Sequence, residues 1–245
     1  MYVVYNIKGM VAAIILLSLG VVASAVFIAS KVINYSLKTI VFKTIASLIF
    51  VALGIYCAVI IPGHTLFKVL TLMGLIFGLL GDVLLGFKYI TTKTKGFWIL
   101  AGMFAFAFGH ISYLTGLFIE YYVPGHWWFI LLPFMTAIGI ITLYMLVSKK
   151  IGINFGKGML LFGLFYLFCL TSMVSTSFYM ALLHGFSITN GVLFFIGALF
   201  FMASDFMLTG SYFLPGKRPG WYNALYSVFY YVAQFIIAFA IFFLV

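Results

Sequence analysis

Eight long apolar segments follow one another along this chain of 245 residues. Each is close to the roughly 20 residues that a helix needs to cross the hydrocarbon core of a bilayer, and none shows the alternation typical of a barrel strand. Charged residues make up only 7% of the chain, whereas about one quarter of a soluble domain is charged. The sequence therefore predicts an all-α membrane protein, a bundle of eight transmembrane helices in a single integral membrane domain over residues 1–245.

Turn residues separate these segments. Proline and glycine occur together at 62–63, 124–125 and 215–216, and Gly152 with Asn154 separates the fifth segment from the sixth. Such residues interrupt helices, and Pro133 inside the fifth segment predicts a kink. The predicted helices span roughly 9–30, 40–61, 66–87, 96–121, 127–147, 158–181, 188–213 and 221–244.

The first segment resembles a cleavable signal peptide, because Lys8 precedes an apolar run that contains Ala-Ser-Ala at 23–25. Three lysines follow that run, however, and they favour the opposite orientation, with the amino terminus outside. We therefore expect residues 1–25 to belong to the first transmembrane helix.

Basic residues define the expected orientation. Lys8 and Lys68 fall at one end of the predicted bundle, and the other eleven of the thirteen fall at the opposite end. By the positive-inside rule the second end is cytoplasmic, so both termini lie outside, and we expect a multi-pass protein of the plasma membrane. The net charge of +10 is spread over short loops, which indicates topology and contact with anionic headgroups and not nucleic-acid binding. The eleven residues are Lys31, Lys38, Lys43, Lys88, Lys93, Lys95, Lys149, Lys150, Lys157, Lys217 and Arg218.

Two of the three acidic residues, Asp82 and Asp205, lie deep inside apolar segments. A charged carboxylate at membrane depth costs roughly 2.5–3.5 kcal/mol, so such residues usually belong to a pathway, a relay or a catalytic centre. The alternative is a structural role, in which each Asp ties two helices together. Asp82 lies six residues before Lys88, about 9 Å by helical rise, so the site should open toward the cytoplasmic side.

The segments around these carboxylates resemble each other. Residues 74–87 align with 197–210 at an offset of 123, about half the chain. Because four crossings restore the chain direction, this predicts a possible parallel repeat of helices 1–4 and 5–8. The repeat would place the two carboxylates at similar depth.

Polar residues on the following helices are candidate partners for the carboxylates. His110 and Tyr113 share a face of the fourth helix. The eighth helix carries a polar stripe at helical spacing. Lys43, near the cytoplasmic end of the second helix, could meet a phosphate or could simply extend its ammonium group to the interface. The stripe consists of Asn223, Ser227, Tyr230 or Tyr231, and Gln234.

Four short motifs carry a resemblance to a known family. GLIFGLLGD (74–82), GHISY (109–113), SDFMLTGSYF (204–213) and YYVAQ (230–234) resemble, in this order on eight predicted helices, the YhhN-like lysoplasmalogenase family. The resemblance covers essentially the whole chain. It implies cleavage of the vinyl-ether bond of a lysoplasmalogen, a lysophospholipid, to a fatty aldehyde and glycerophospho-ethanolamine or -choline.

The resemblance also implies site residues. Asp82 and Asp205 would be catalytic, since vinyl-ether cleavage needs one protonated acid and one negative group beside an oxocarbenium ion, as in glycoside hydrolysis. Which carboxyl group donates the proton stays open. Residues expected to bind or orient the substrate are Lys43, His110, Tyr113, Ser204, Asn223, Tyr230, Tyr231 and Gln234.

Two other functions remain as alternatives. A proton-coupled transporter of small molecules could use the same pair of carboxylates in a parallel repeat. A zinc hydrolase would need about three inward ligands, whereas His64, His126 and His184 lie at the outer helix ends and the two cysteines lie singly. We expect no metal and no cofactor; the oligomeric state stays open.

Overall fold

The computed structural model describes residues 2–153, 158–216 and 218–244. Over these ranges the chain forms eight long helices and no strands, and all eight are long and apolar enough to cross a membrane. This confirms the predicted all-α, eight-helix membrane fold. The helices are α1 (Tyr2–Ile33), α2 (Leu37–Ile60), α3 (Thr65–Phe87), α4 (Lys95–Tyr121), α5 (Trp128–Lys150), α6 (Leu160–Leu183), α7 (Thr189–Phe213) and α8 (Gly220–Ala240), with short 3-10 helices at Thr92–Thr94 and Ile241–Phe243.

The helix ends lie within four residues of the predicted ones, except that α1 begins at Tyr2, seven residues before its predicted start at residue 9. Glycines at the predicted breaks, among them Gly63 and Gly216, have positive φ angles of 73° and 84°, a conformation that ends a helix and that glycine adopts without strain. Helix α5 runs three residues further than predicted, because Lys149 and Lys150 continue its last turn. Pro133 lies inside α5, and Asn154 lies outside the described residues.

Helix α1 is continuous through the segment that resembles a signal-peptide cleavage site. Residues 23–25 lie in its second half, and its apolar span covers Ile7–Ile33. It packs against α2 and α8, so residues of the first segment form part of the bundle.

The bundle is layered from inside to outside. Helices α8 and α6 are the most buried, and α5 and α1 are the most exposed. Exposed positions carry mainly large apolar side chains, such as Val59 and Leu143. Such a surface suits the hydrocarbon region of a bilayer, where all backbone polar groups must be bonded internally, as they are in helices.

Glycines on α3 allow neighbouring side chains to approach its backbone. A Cβ atom at Gly74 would lie 2.2 Å from the ring of Tyr113, and one at Gly78 would lie 2.5 Å from Nε2 of Gln234. Real Cβ contacts are essentially never that short, so a larger residue at either position would displace the ring of Tyr113 or the amide of Gln234. Small residues serve the same purpose in other membrane helix pairs.

One end of the bundle carries most of the basic residues, and we refer to it as the basic end. Short connections make successive helices antiparallel, so Lys31 at the end of α1, Lys38 at the start of α2 and Lys95 at the start of α4 lie at the same end. Lys157 and Lys217, predicted to belong to this group, lie outside the described residues.

Candidate active site

Asp82 on α3 and Asp205 on α7 line the same buried cavity. Their exposed fractions are 1% and 6%, and the cavity has a volume of about 100 Å³. Residues of α1 to α4 and of α6 to α8 contribute to its walls. We call this cavity the chamber. It brings together two carboxylates that are 123 positions apart in sequence.

Asp82 is surrounded by hydrogen-bond donors. Its Oδ1 pairs with Nζ of Lys43 at 2.7 Å. Its Oδ2 accepts hydrogen bonds from Ser47 Oγ at 2.5 Å and from Tyr230 OH at 2.7 Å. Bonds of this kind, from a cation and two hydroxyl groups, stabilise the ionised form of a carboxylate.

A chain of hydrogen bonds extends from Asp82 away from the chamber. Tyr230 OH, which donates to Asp82, accepts a bond from Gln234 Nε2 at 3.1 Å. The Oε1 of Gln234 in turn accepts a bond from Tyr113 OH at 3.2 Å. All three donors point the same way, and bonds in such a chain polarise and strengthen one another. Tyr113 and Gln234 are therefore connected to Asp82 by hydrogen bonds through Tyr230.

Asp205 has different surroundings. Tyr166 OH on α6 donates a hydrogen bond to Oδ2 of Asp205, and no cation bonds this carboxylate among the described residues. His110 Nε2 lies 3.3 Å from the hydroxyl of Tyr166, while its Nδ1 has no hydrogen-bond partner in that part of the chain. The second carboxylate thus accepts a hydrogen bond from a phenol, and that phenol in turn contacts an imidazole.

The partners of the two carboxylates are related by the same offset as the carboxylates. Lys43 precedes Asp82 by 39 positions, and Tyr166 precedes Asp205 by 39 positions. The four-plus-four repeat stays a prediction, but this relation is what it requires: an ammonium in the first half and a phenol in the second occupy corresponding positions.

The structure distributes the predicted site residues over three locations. Lys43, Ser204, Tyr230 and Tyr231 line the chamber together with the carboxylates. His110, Tyr113 and Gln234 lie behind the carboxylates, outside the lining of the chamber. Asn223 lines a second cavity nearer the basic end.

Several predicted contacts differ in detail. His110 and Tyr113, predicted to share a face of the fourth helix, bond different residues: His110 contacts the hydroxyl of Tyr166, and Tyr113 donates to the amide oxygen of Gln234. Gln234, expected to bond the substrate, has its amide occupied by two tyrosines. The hydroxyl of Ser204 donates to the backbone oxygen of Tyr226 at 2.9 Å, which fixes α7 against α8.

Ser47 and Tyr166 were not among the predicted site residues. Ser47 lies one helical turn after Lys43, so its position on the same face could have indicated it. Tyr166 is the residue that the repeat offset aligns with Lys43. Adding the offset of 123 to the position of Lys43, as was done for Asp82, would have indicated Tyr166.

A wider cavity adjoins the chamber at the basic end, and we call it the vestibule. Its volume is about 790 Å³. Lys31, Lys88, Tyr35 and Tyr89 line both cavities, and the rings of the two tyrosines are 3.8 Å apart between centroids. Burial, followed by the nearby Tyr89, raises the pKa of Tyr35, so this side chain stays an uncharged phenol at neutral pH.

The opposite end of the bundle holds the third acidic residue. His64 Nδ1 lies 2.5 Å from Oε1 of Glu120. Among the described residues, no three His, Cys, Asp or Glu side chains come close enough to bind one metal ion. The outer histidines that the zinc alternative would use do not form such a group.

These features define a class: a polytopic membrane protein whose buried chamber holds two carboxylates in unlike surroundings. Comparison with protein families places the chain within that class. The sequence model of the YhhN family matches residues 38–241, so the chain belongs to the YhhN family, the family of lysoplasmalogenases. Neither the comparison with curated proteins nor that with solved structures gave a significant match.

The pairing of Lys43 with Asp82 leads to a prediction about stability. Lys43→Met should lower the apparent melting temperature in detergent strongly, because an unpaired buried charge costs about 3–5 kcal/mol. In an Asp82→Asn background the same change should cost much less, since residues in contact are not additive. Lys93→Met, at an exposed position of the short 3-10 helix Thr92–Thr94, is the matched control and should have little effect. Equal shifts for Lys43→Met in both backgrounds would contradict the pairing.

Proposed function

We propose that this protein hydrolyses the vinyl-ether bond of lysoplasmalogens inside the membrane, to a fatty aldehyde and glycerophospho-ethanolamine or -choline. The observation that carries the proposal is that Asp82 and Asp205 line one buried cavity. Membership of the YhhN family supports the reaction. The walls of the chamber are mainly apolar, with side chains such as Met103 and Leu167, which suits a lipid substrate.

The unlike surroundings of the carboxylates suggest separate roles. Asp205, which has a phenol but no cation beside it, is proposed to hold a proton and donate it to the vinyl carbon. The oxocarbenium ion formed in this step needs negative charge nearby, and Asp82, held ionised by Lys43, provides it. Two carboxylates divide the work of glycoside hydrolysis in the same way.

The reaction is completed by water. Water adds to the oxocarbenium carbon and gives one proton back to Asp205, which restores the acid. The hydroxyl of the resulting hemiacetal then loses its proton as the bond between carbon and the glycerol oxygen breaks. The glycerol oxygen takes up a proton, and the aldehyde leaves. Each cycle consumes one water molecule and requires no redox partner.

The remaining polar residues are proposed to position these groups. Gln234 and Tyr113 hold Tyr230 against Asp82, and His110 holds Tyr166 against Asp205. Tyr231 donates a hydrogen bond to the backbone oxygen of Lys43 at 3.2 Å and so holds the backbone of the lysine that pairs with Asp82.

Replacing either carboxylate tests the proposal. Asp82→Asn and Asp205→Asn should each reduce aldehyde release from a lysoplasmalogen by about 100-fold or more, because Asn neither donates a proton as an acid nor carries charge. Aldehyde release by purified protein in detergent, without added metal or cofactor, is the measurement. Near-normal turnover in either folded variant would exclude the two-carboxylate mechanism.

The third acidic residue gives a matched control. Glu120→Gln removes a carboxylate that pairs with His64 away from the chamber, so activity should remain.

The same assay tests the alternative of a proton-coupled transporter, because no proton gradient exists in detergent. A folded wild-type protein that releases no aldehyde from any lysoplasmalogen would contradict the proposed function and leave the transporter.

The path of the lipid tail can be tested at Gly163 on α6. This residue lines the chamber, and a Cβ atom there would have only Met103 within 4 Å, at 4.0 Å. Gly163→Leu should therefore fill the space beside the tail and reduce turnover of long-chain substrates about tenfold more than that of short-chain ones. Gly139→Leu on α5, where the Cβ position is open, is the control. An unchanged ratio of long-chain to short-chain turnover would exclude this path.

We also propose that the basic end faces the cytoplasm, with both termini outside and the vestibule opening to the cytoplasmic side of the plasma membrane. The excess of lysines at that end supports this orientation. The native cysteines are both buried, so single introduced cysteines can report it. An impermeant thiol reagent should label Trp127→Cys in intact cells and Lys93→Cys only after permeabilisation. Labelling in the reverse order would contradict the orientation.

A further inference from the structure

Two lysines between the chamber and the vestibule form no ion pair with an acidic side chain among the described residues. The sequence contains three acidic residues, and each is engaged elsewhere. Asp82 pairs with Lys43, Glu120 with His64, and Asp205 accepts from Tyr166. Lys31 and Lys88 line both cavities, so the chamber has three ammonium groups against two carboxylates.

Lys88 is the more unusual of the two. Only 4% of it is exposed, although it follows the last residue of α3. Its Nζ lies over the rings of Tyr212 at 3.4 Å and Tyr89 at 4.5 Å, and among the described residues no hydrogen-bond acceptor contacts it. Burial, followed by the charges of Lys43, Lys31 and Lys95, lowers the pKa of Lys88. A bound anion would offset both effects.

Lys31 approaches the same space from α1. Its Nζ donates to Ser227 Oγ at 2.7 Å and to the backbone oxygen of Asn223 at 3.2 Å, and it lies 3.8 Å from the ring centroid of Tyr226. An ammonium group has three donors, so one remains for a ligand. These contacts hold the group in place and leave its charge unneutralised.

We propose that Lys31 and Lys88 form an anion subsite that binds the phosphate group of the lysophospholipid, an assignment that rests on the proposed function. Lysine binds phosphate as a point charge with several donors. Lys88 lies about 9 Å by helical rise from Asp82, a distance that the glycerol part of the substrate can bridge. Lys95 and Arg218, which also line the vestibule, add positive charge along the approach and favour the arrival of an anion.

Binding of a substrate analogue that is not cleaved tests the subsite separately from catalysis. A saturated 1-alkyl lysophospholipid has no vinyl carbon to protonate, and the alkylglycerol with the same chain has no phosphate. Dissociation constants for both are measured on the full chain in detergent. Lys31→Gln and Lys88→Gln should each weaken binding of the phospholipid about tenfold or more and leave alkylglycerol binding within about twofold.

Controls separate charge from folding. Lys93→Gln, at an exposed position of the 3-10 helix Thr92–Thr94 that lines neither cavity, should bind both ligands as the wild type does. Lys88→Arg keeps the charge and should retain most of the phospholipid affinity. Two results would overturn the subsite if the Lys31→Gln and Lys88→Gln proteins melt like the wild type. One is an equal loss of affinity for both ligands, and the other is no loss of affinity for the phospholipid.

A further arm identifies the source of the phosphate. Inorganic phosphate and glycerophosphocholine are tested as competitors of the bound alkyl lysophospholipid. Weak competition by both supports a lipid-borne phosphate, whereas tight binding of either without preference for the lipid would overturn the assignment to the substrate. A protein that binds the phospholipid through these lysines but releases no aldehyde would refute the proposed hydrolysis and not the subsite.

Discussion

The ion pair between Lys43 and Asp82 is the interaction on which the arrangement of the chamber depends. A lone carboxylate at this depth is costly, and its donors come from α2 and α8 while the carboxylate itself lies on α3. The charge is therefore satisfied only when these three helices are packed together. The glycines on α3 permit this packing, since Gly78 leaves space for the amide that supports Tyr230. The charge of Asp82 can therefore be buried only if the three helices pack closely.

The second carboxylate has a different kind of partner from the first. Asp205 is bonded by Tyr166 where Asp82 is paired with Lys43, and both partners precede their carboxylate by 39 positions. A cation stabilises the ionised form of a neighbouring acid, whereas a phenol contributes only a hydrogen bond. The acid–base difference that the proposed reaction needs follows from these unlike partners, since a cation and two hydroxyl groups bond Asp82 and a phenol bonds Asp205. A symmetric pair of ion pairs would supply two ionised groups and no proton donor.

The fold and the site were predictable to different extents. Eight helices follow from the length of the apolar segments, and the carboxylates stood out because charge at that depth is rare. Helical spacing predicted which residues form the polar face of α8, but it did not predict how that face is rotated relative to the neighbouring helices. For this reason Gln234, which bonds two tyrosines behind the chamber, could not be distinguished from Tyr231, which lines it. Lys31 and Lys88 were interpreted only as topology markers, because a lysine at a helix end looks the same in sequence whether it points to the interface or into a cavity.

The order of polarity along the two cavities matches that of an amphiphile. The chamber that holds the carboxylates has mainly apolar walls, and basic residues line the wider space at the helix ends. In the proposed reaction the two products differ as sharply as these surroundings: the aldehyde is apolar, and the glycerophospho-compound is charged. The charged product can leave through the vestibule into water, whereas the aldehyde can pass between helices into the bilayer. Because neither product has to cross the surroundings of the other, an enzyme of this kind needs no soluble domain.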